Sequence, residues 1–490
     1  MHLLCQDRHA FALDWVDAAG DWDGGALEVN ARRSPVRCTV YRPDIGDLLP
    51  VYVADRYEGI EARPFPRCSD EEVERYVERN VAAVREVAER TAPDVALANH
   101  LVMGPAILAR ALGGDAGVPY AVKVHGSALE YTVKSHPRFL PWAREGVAGA
   151  RGILVGSRHT AESLWATLAD DGVRRRTRLG PPGVDVGTFG PREPAEAAAG
   201  LAGLRRRLAA HVPPQDAGET SAFSRDAAEA AAALAAVDPQ GGERLVGYVG
   251  KLLVAKGVDL LVAAWPLVIA QVGAARLVVV GFGAYREALG RLVAALGAGD
   301  LETARSLAAE GRALEGGPPG GLAHLLAFLD GLEGERRERY LRAAAGLGEQ
   351  VTFTGRLEHA ELADVLPALE VLAVTSTFPE AFGMVAAEAA ACGVLPVSAG
   401  HSGLAEVSRV LGAGLDPRAR EWLSFPVDDR AVQALADRLA GWLEAPPDLR
   451  DDTRRRLVAT ARDRYSWEGV ARGVIDAAQG RLDGLQVPTR

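Results

Sequence analysis

The segment from Val371 to Glu388 reads Val-Leu-Ala-Val-Thr-Ser-Thr-Phe-Pro-Glu-Ala-Phe-Gly-Met-Val-Ala-Ala-Glu: an apolar strand, a short polar turn and a helix. We expect the helix to run to about Cys392, with a glycine in its first turn. α/β proteins use a strand, turn and helix of this kind to present backbone N–H groups to a phosphate. The segment therefore predicts an α/β sheet with an anion-binding site where this strand ends.

Two carboxylates, Glu380 and Glu388, lie eight residues apart in this segment. If both belong to the helix, eight steps of about 100° leave them roughly 80° apart around the axis and about 12 Å apart along it. The helix dipole favours an anion at this end, so a carboxylate there needs a polar partner such as a ligand hydroxyl. We therefore expect the pair to bind two distant hydroxyl-bearing parts of one ligand.

Length and composition limit the class of protein. A chain of 490 residues fits two domains of about 200 residues with additions. Its net charge of −10 argues against nucleic acid as a partner. No apolar run approaches the ~18 residues of a membrane span, and the first residues do not resemble a secretion signal. We expect a cytoplasmic protein with scattered, reduced cysteines, peripheral to the inner face of the membrane at most.

The chain has only four lysines, Lys123, Lys134, Lys251 and Lys256, and every other cationic side chain is arginine. Lys251 and Lys256 are five residues apart, beside an expected strand and a glycine turn. A lysine ammonium is a compact point charge that fits between phosphate oxygens. The pair therefore predicts a diphosphate site, whereas Lys134 is interpreted as an ordinary surface charge.

Two series of short apolar strands separated by helical segments predict two parallel, doubly wound sheets. In the first series, the capping box Ser69–Glu72 begins a helix that precedes the strands. The expected strands are 95–98, 120–124 and 152–155 in the first series, and 245–249, 276–280, 350–354, 371–375 and 394–397 in the second.

The segment Gly180-Pro-Pro-Gly-Val-Asp185 is interpreted as a rigid connection between domains. We predict an N-terminal domain at 1–185, a C-terminal domain at 186–464, and a helix at 465–490 that crosses back to the first domain. Insertions near 192–241 and 294–346 are expected to be surface helical or partly disordered, without a role in chemistry.

Ligands of open α/β sheets lie at the carboxyl ends of the strands, and two facing sheets would form a cleft there. His100 and His125 end first-domain strands, and Gly250-Lys251 ends the first strand of the second domain. For a single histidine at a strand end, a structural hydrogen bond is the ordinary role, and His100 is assigned that role.

Several motifs together resemble the retaining, GT-B-fold glycosyltransferases of family 4 (glycosyl transferases group 1). They occur in that family's order over roughly residues 95 to 475, and only the set as a whole is specific. The motifs are Gly250-Lys251 with Lys256-Gly257, Gly281-Phe-Gly283, Phe353-Thr-Gly355-Arg-Leu357, Glu380 to Glu388, Pro182-Gly-Val-Asp185 with Phe189-Gly-Pro191, and Tyr465-Ser-Trp467.

The resemblance implies a role for each of these residues. Glu388 would bind the nucleotide ribose, and Lys251 and Lys256 the diphosphate. Gly355 to Leu357 would lie against the base. Glu380 would bind the transferred sugar, and His125 would face it. The implied catalytic residues are thus His125, Lys251, Lys256 and Glu380. The implied donor-binding residues are Gly250, Gly281, Gly283, Gly355, Arg356, Leu357, Phe382, Gly383, Met384, Val385 and Glu388.

The implied reaction transfers a sugar from a nucleoside-diphosphate sugar to the hydroxyl of an unidentified acceptor (a sugar, a lipid-linked molecule or a small metabolite), with retention at the anomeric carbon. The leaving diphosphate gathers negative charge, so two lysines and a helix N-terminus would be the main catalytic device. We therefore expect no metal and no cofactor. Asp21-Trp-Asp23 imitates the metal motif of another glycosyltransferase fold, but no buried strand precedes it and we expect a loop.

The chain departs from the family at its start. Family members begin with a buried strand and a glycine-rich loop, whereas Met1–Gln6 resembles their second strand. We expect the first strand to be missing, either because the start site lies further upstream or because the protein is truncated. Two alternatives follow: a nucleotide-sugar-binding protein without transfer activity, or a GT-B sugar-nucleotide epimerase or phosphorylase. The Glu380/Glu388 and Lys251/Lys256 pairs fit a family 4 transferase better than an epimerase.

Overall fold

The computed structural model describes residues 1–23, 25–52, 59–113, 117–211 and 225–488. The chain divides into two compact units, and each is described by itself. Unit 1 comprises Met1–Gly180 and Arg472–Arg490, and unit 2 comprises Pro181–Ala471. Among the described residues, no helix is both long enough and apolar enough to cross a bilayer.

Unit 1 begins with a mixed four-stranded sheet of order β1-β4-β2-β3, in which only β2 and β3 pair antiparallel. Asp21-Trp-Asp23 lies in β2, so the predicted loop is wrong. Trp22 pairs with Leu27 across the hairpin and donates its indole N–H to Glu86 at 2.7 Å. The strands are β1 (His2–Leu4), β2 (Ala18–Asp23), β3 (Ala26–Ala31) and β4 (Thr39–Arg42), followed by a separate parallel pair, β5 (Leu48–Val51) and β6 (Glu61–Pro64).

The other sheet of unit 1 is parallel, with the order β10-β9-β8-β7. Its strands are β7 (Ala96–Asn99), β8 (Tyr120–Val124), β9 (Gly152–Val155) and β10 (Thr177–Leu179). The first three confirm the predicted strands to within one residue, and β10 was not predicted. The helices are α1 (Asp70–Thr91), which begins at the predicted capping box, α2 (Gly104–Leu112), α3 (Leu140–Ala148), α4 (Arg158–Leu168) and α5 (Asp171–Arg176).

Unit 2 is built on a six-stranded parallel sheet of order β13-β12-β11-β14-β15-β16. The five predicted strands are confirmed with boundary shifts of one or two residues. This order makes β11 and β14 neighbours, although more than a hundred residues separate them. The strands are β11 (Arg244–Val249), β12 (Ala275–Val280), β13 (Val351–Gly355), β14 (Val371–Val374), β15 (Leu395–Ala399) and β16 (Ser424–Phe425).

Helices cover this sheet, and the one that follows β11, α8, is buried from Val258 to Pro266 and again at Val268. The last helix, α20, begins in unit 2, and from Arg472 onward its residues belong to unit 1. The helices are α6 (Pro194–Ala209), α7 (Ala227–Leu234), α8 (Val258–Val272), α9 (Arg286–Gly297), α10 (Leu301–Glu310), α11 (Ala323–Asp330), α12 (Gly334–Ala344), α13 (Leu347–Gln350), α14 (Leu362–Val365), α15 (Met384–Ala391), α16 (Ser402–Gly412), α17 (Pro417–Trp422), α18 (Ala431–Leu443), α19 (Pro447–Tyr465) and α20 (Trp467–Ala478).

The two predicted insertions are helical, but their described parts are packed into the core of unit 2 and not confined to its surface. Leu204 of α6 and Leu307 of α10 are buried, and Tyr340 of α12 donates its hydroxyl to the carbonyl of Ala263 in α8 at 3.0 Å. The high Ala and Gly content of these segments hid a helical spacing of larger apolar residues. Residues 212–224 of the first insertion lie outside the described residues.

Candidate functional site

Lys256 and Glu380 meet where the neighbouring strands β11 and β14 end. The ammonium of Lys256 donates to Oε1 of Glu380, and the hydroxyl of Ser376 donates to the same oxygen. Both charged side chains keep a quarter to a third of their surface exposed, 33% for the lysine and 25% for the glutamate. A ligand at this edge of the sheet could therefore contact a cation and a carboxylate together.

The loop that carries the two lysines is held through its backbone from two sides. On the β14 side, Thr375 donates its hydroxyl to the carbonyl of Lys256 at 2.8 Å, and the N–H of Thr377 donates to the carbonyl of Ala255 at 3.0 Å. On the β12 side, the N–H of Leu252 donates to the carbonyl of Phe282 at 2.7 Å. These hydrogen bonds fix the backbone of the loop and therefore the positions from which the two lysine side chains extend.

The β12 contact requires the glycines of Gly281-Phe-Gly283. A Cβ on Gly281 would lie 1.9 Å from the carbonyl oxygen of Gly250, and one on Gly283 would lie 2.3 Å from that of Leu252. Gly283 also has φ +152°, which L side chains rarely adopt. These two glycines let the turn after β12 approach the lysine loop closely.

The ammonium of Lys251 faces the ring of Phe282. This ammonium and the guanidinium of Arg356 are each 5.8 Å from the centre of that ring. Arg356 also forms an ion pair with Glu358 at 3.2 Å. The structure thus brings Lys251 together with the predicted base-side residue Arg356, through an aromatic side chain that the sequence analysis left without a role.

Glu380 is placed by contacts from the segment that follows β15. Its N–H donates to the hydroxyl of Ser402 at 2.9 Å, and its carbonyl accepts from the N–H of Gly403 at 2.9 Å. Nε2 of His401 lies 2.8 Å from the carbonyl of Ser376. Sequence reasoning missed Ser376, although it lies four residues before Glu380 in the same turn. It missed His401 and Ser402 because the pairing of β14 with β15 brings them beside Glu380.

The expected helical spacing of Glu380 and Glu388 is wrong, because α15 begins at Met384 and Glu380 precedes it. Gly383, the residue before the helix, has φ +109°, and a Cβ there would lie 2.3 Å from Leu404. The left-handed residue separates the turn from the helix, so the estimate of 80° and 12 Å does not apply. The predicted end of the helix at about Cys392 is confirmed.

The residues around the start of α15 differ in exposure. Phe382 is buried and packs edge-on against Tyr465 at 5.3 Å, whereas Met384 is exposed and Val385 is partly buried. The side chain of Phe382 thus belongs to the core, which leaves the backbone of this turn as the part suited to an anion at the helix N-terminus.

Glu388 is buried in α15 and has a histidine partner. Its Oε1 lies 2.8 Å from Nε2 of His359, whose ring is tilted against that of Phe189 with 4.9 Å between the ring centres. Leu357, which belongs to the predicted base-contacting motif, is two residues before His359 and is buried. Sequence reasoning missed His359, although its position two residues after the Gly355–Leu357 motif was a usable signal.

His125 lies in unit 1, at the end of β8. Its Nε2 donates to Oδ1 of Asn99 at 3.0 Å, and its ring lies 4.9 Å from that of His100. Burial, and then the charge of Lys123, lower the pKa of His125 to about 4. The imidazole is therefore neutral near pH 7 and acts there as a hydrogen-bonding group. Burial, followed by the charge of His125, also lowers the pKa of His100 to about 4.

In the part of the chain that the structure describes, no group of three or more His, Cys, Asp or Glu side chains is arranged to hold a metal ion. Independence from metal stays a prediction.

Comparison with known proteins gives a family match for part of the chain. Residues 324–464 match the family described as glycosyl transferases group 1. The matched part contains Gly355, Glu380 and Glu388 but begins after the loop that carries Lys251 and Lys256.

Among curated proteins, the chain is 30% identical over 338 residues to the D-inositol 3-phosphate glycosyltransferase of Xylanimonas cellulosilytica, covering 67% of this chain and 57% of that protein. It is 28% identical over 309 residues to the enzyme of the same name from Segniliparus rotundus, covering 62% of this chain and 47% of that protein. The chain thus spans about half the length of these relatives.

Solved structures share the fold. Sucrose-phosphate synthase from Thermosynechococcus elongatus superposes with a TM-score of 0.52 at 19% identity, covering 90% of this chain and 88% of that one. Anabaena HepE in complex with UDP gives a TM-score of 0.50 at 18% identity, with 81% of each chain covered. This likeness confirms the predicted GT-B fold with two Rossmann-like domains.

Proposed function

We propose that this chain is a retaining glycosyltransferase of family 4, which transfers a sugar from a nucleoside-diphosphate sugar to an acceptor hydroxyl without a metal ion. The observation that carries the proposal is the contact between Lys256 and Glu380 at the ends of β11 and β14. A cation for the leaving diphosphate and a hydrogen-bond acceptor for sugar hydroxyls then lie next to each other. A nucleoside-diphosphate sugar requires this arrangement, because its sugar is bonded directly to the diphosphate.

In the proposed reaction, the bond between the anomeric carbon and the diphosphate oxygen breaks, and its electron pair leaves with the diphosphate. The acceptor oxygen bonds to the anomeric carbon on the same face, and its proton passes to the oxygen of the leaving diphosphate. Lys251, Lys256 and the N-terminus of α15 stabilise the developing negative charge. Glu380 binds hydroxyls of the transferred sugar, and Glu388 binds the ribose.

The relatives and neighbours suggest the first substrates to test. Anabaena HepE was solved with UDP, which supports a UDP-sugar donor, and the curated relatives are named for D-inositol 3-phosphate as the acceptor. His125 of unit 1 remains a proposed catalytic residue on the strength of the family resemblance. Its neutral imidazole suits a hydrogen bond to a hydroxyl better than an ion pair.

The test begins with a thermal-shift screen of UDP-, ADP- and GDP-sugars. The donor that stabilises the protein is then incubated with D-inositol 3-phosphate and other hydroxyl acceptors, with and without EDTA. We expect a glycoside product whose anomeric configuration, measured by NMR, matches that of the donor, and a rate that EDTA leaves unchanged. Binding without any product would instead identify a binding protein, and a product that requires free phosphate would identify a phosphorylase.

A further inference from the structure

We propose that Glu315 is a positioning residue that holds the lysine loop, Lys251–Lys256, in the geometry that binds a diphosphate. Oε2 of Glu315 accepts the backbone N–H of Val254 at 2.8 Å, across 61 residues of sequence. The inference rests on the proposed function, because it assigns the supporting contact of the same diphosphate site. Glu315 lies in the second predicted insertion, to which the sequence analysis assigned no chemistry.

Val254 is the position in the loop where a backbone acceptor is most needed. It begins the single 3-10 turn Val254–Lys256, so its N–H has no partner within that turn. Its side chain is buried, which fixes the direction of the N–H. The carboxylate of Glu315 therefore acts as a cap supplied from a distant segment, and the capped turn ends at Lys256.

The cap completes the restraint of the loop. The contacts described above hold Leu252 from the β12 side, and Ala255 and Lys256 from the β14 side. Glu315 adds a contact from a third segment of the chain, at Val254, between Leu252 and Ala255. Without it, Leu253 and Val254 would be held by side-chain packing and by the hydrogen bonds of the turn itself, from the N–H groups of Lys256 and Gly257 to their carbonyls. Lys256 could then move relative to Glu380.

The segment that carries Glu315 forms a short loop that is closed by one of its own backbone hydrogen bonds. Glu315 ends a 3-10 turn that starts at Arg312, and the N–H of Arg312 donates to the carbonyl of Gly320 at 3.0 Å. A Cβ on Gly311 would lie 2.0 Å from that carbonyl oxygen, so this crossing requires a glycine. The helices on either side, α10 and α11, bury Leu307 and Phe328 in the core.

The hydrogen bond to the N–H of Val254 explains why an acidic residue, Glu315, lies close to the proposed diphosphate site. A carboxylate oxygen makes a stronger acceptor for a backbone N–H than a neutral group does. Its charge nevertheless opposes the diphosphate, so the benefit must come from position. A glutamine retains an acceptor oxygen at the same reach, whereas an aspartate retains the charge but is one methylene shorter. Glu315→Gln and Glu315→Asp therefore separate the two effects.

The experiment measures affinities of the full-length protein by calorimetry for UDP, ADP and GDP, and then compares the tightest of these with its own monophosphate. We expect Glu315→Asp and Glu315→Ala to raise the Kd of the diphosphate about fivefold to tenfold and that of the monophosphate less than about twofold. Glu315→Gln should stay within about threefold of the unmodified protein. The kcat of transfer should fall in the Asp and Ala variants at saturating donor.

Glu310→Gln is the matched control, because Glu310 is an exposed carboxylate at the end of α10 in the same insertion. It should leave both affinities unchanged. Equal losses for diphosphate and monophosphate would show a general structural role, and unchanged diphosphate affinity in the Asp variant would show that reach is irrelevant; either result overturns the inference while leaving the proposed function intact. If the unmodified protein bound none of the three diphosphates, the proposed function itself would fall.

Discussion

Nε2 of His359 lies 2.8 Å from Oε1 of Glu388, and the two side chains differ sharply in exposure, at 63% for the histidine and 5% for the glutamate. A buried carboxylate is costly unless hydrogen bonds compensate for its lost hydration. In the absence of a ligand, the accessible histidine supplies that compensation. A ribose that donates hydroxyls to Glu388 would share or replace this bond.

Replacing His359 should therefore change the free protein more than the complex. We expect His359→Ala to lower the thermal midpoint of the ligand-free protein, because Glu388 loses a hydrogen-bond partner. The bound nucleoside diphosphate restores a partner, so the rise in midpoint on adding the nucleotide should be larger in the variant. Differential scanning fluorimetry with and without UDP, ADP or GDP measures both quantities. A variant that no longer responds to any nucleotide would show that His359 itself binds the ligand.

Glu388→Ala tests the other member of the pair. The variant should weaken binding of the nucleoside diphosphate by about tenfold or more, because two ribose hydroxyls lose a charged acceptor. The corresponding base without its ribose should bind equally poorly to both proteins. Calorimetry measures both affinities, and an unchanged affinity of the variant for the nucleoside diphosphate would show that Glu388 does not bind the ribose.

Lys256→Ala should reduce kcat/KM by about a hundredfold or more, because the leaving diphosphate loses a cation in the transition state. Lys134→Ala is the matched control. Lys134 forms an ion pair with Glu130 at 2.6 Å and a hydrogen bond with Ser163 at 3.1 Å on the surface of unit 1. Its replacement should leave the rate unchanged. Transfer at the wild-type rate in the Lys256 variant would refute the diphosphate assignment.

The sequence predicted the core strands of both units because buried parallel strands are continuous apolar runs. The run Val371–Val374 is one of them, and it gave the location of Glu380 at a strand end. The expectation that site residues gather at the carboxyl ends of strands placed Lys256 and Glu380 at the same edge of the sheet, but their direct contact was not predicted. The two residues are 124 positions apart in the chain, and the order of the sheet brings them together.

Other features left no local signal. Ser402 and Glu315 act through contacts with backbone N–H groups of distant residues, and no sequence spacing encodes such contacts. The antiparallel strands β2 and β3 were missed because neither contains an apolar run, and β3 is exposed along most of its length. Gly383 was correctly placed near the helix start, but the effect of its left-handed conformation on the position of Glu380 required the structure.

The close approach at Gly281 gives a sharp steric prediction. A methyl group there would lie 1.9 Å from the carbonyl oxygen of Gly250, which is a backbone atom and cannot rotate away as a side chain could. Gly281→Ala should destabilise the protein by about 2 kcal/mol or more and weaken diphosphate binding, because the lysine loop must shift. Gly348→Ala is the control, since a Cβ at that position meets no atom within 4 Å. Thermal unfolding and nucleotide affinity of the two variants should differ clearly, and similar values would contradict the assigned contact.

Asp259, in the first turn of α8, predicts a specific dependence of stability on pH. The side chain is buried, its Oδ1 has no hydrogen-bond partner within the described part of the chain, and burial raises its pKa from 3.8 to about 7. The folded state then keeps a proton that the unfolded state releases above about pH 4. Stability therefore falls as the pH rises from about 4 to about 7 and stays lower above that range.

Asp259→Asn removes this titration while keeping the shape of the side chain. Near pH 4 the variant and the unmodified protein should be similarly stable. At pH 8 the variant should be the more stable one, by at most about 4 kcal/mol, the free energy of a shift of about three pKa units. Calorimetry measures the difference as the unfolding midpoints of both proteins at pH values from about 4.5 to about 8. Asp451→Asn, which changes an exposed carboxylate of α19, should show no such divergence. Parallel pH profiles for the Asp259 variant and the unmodified protein would show that this carboxyl group does not retain its proton in the folded state.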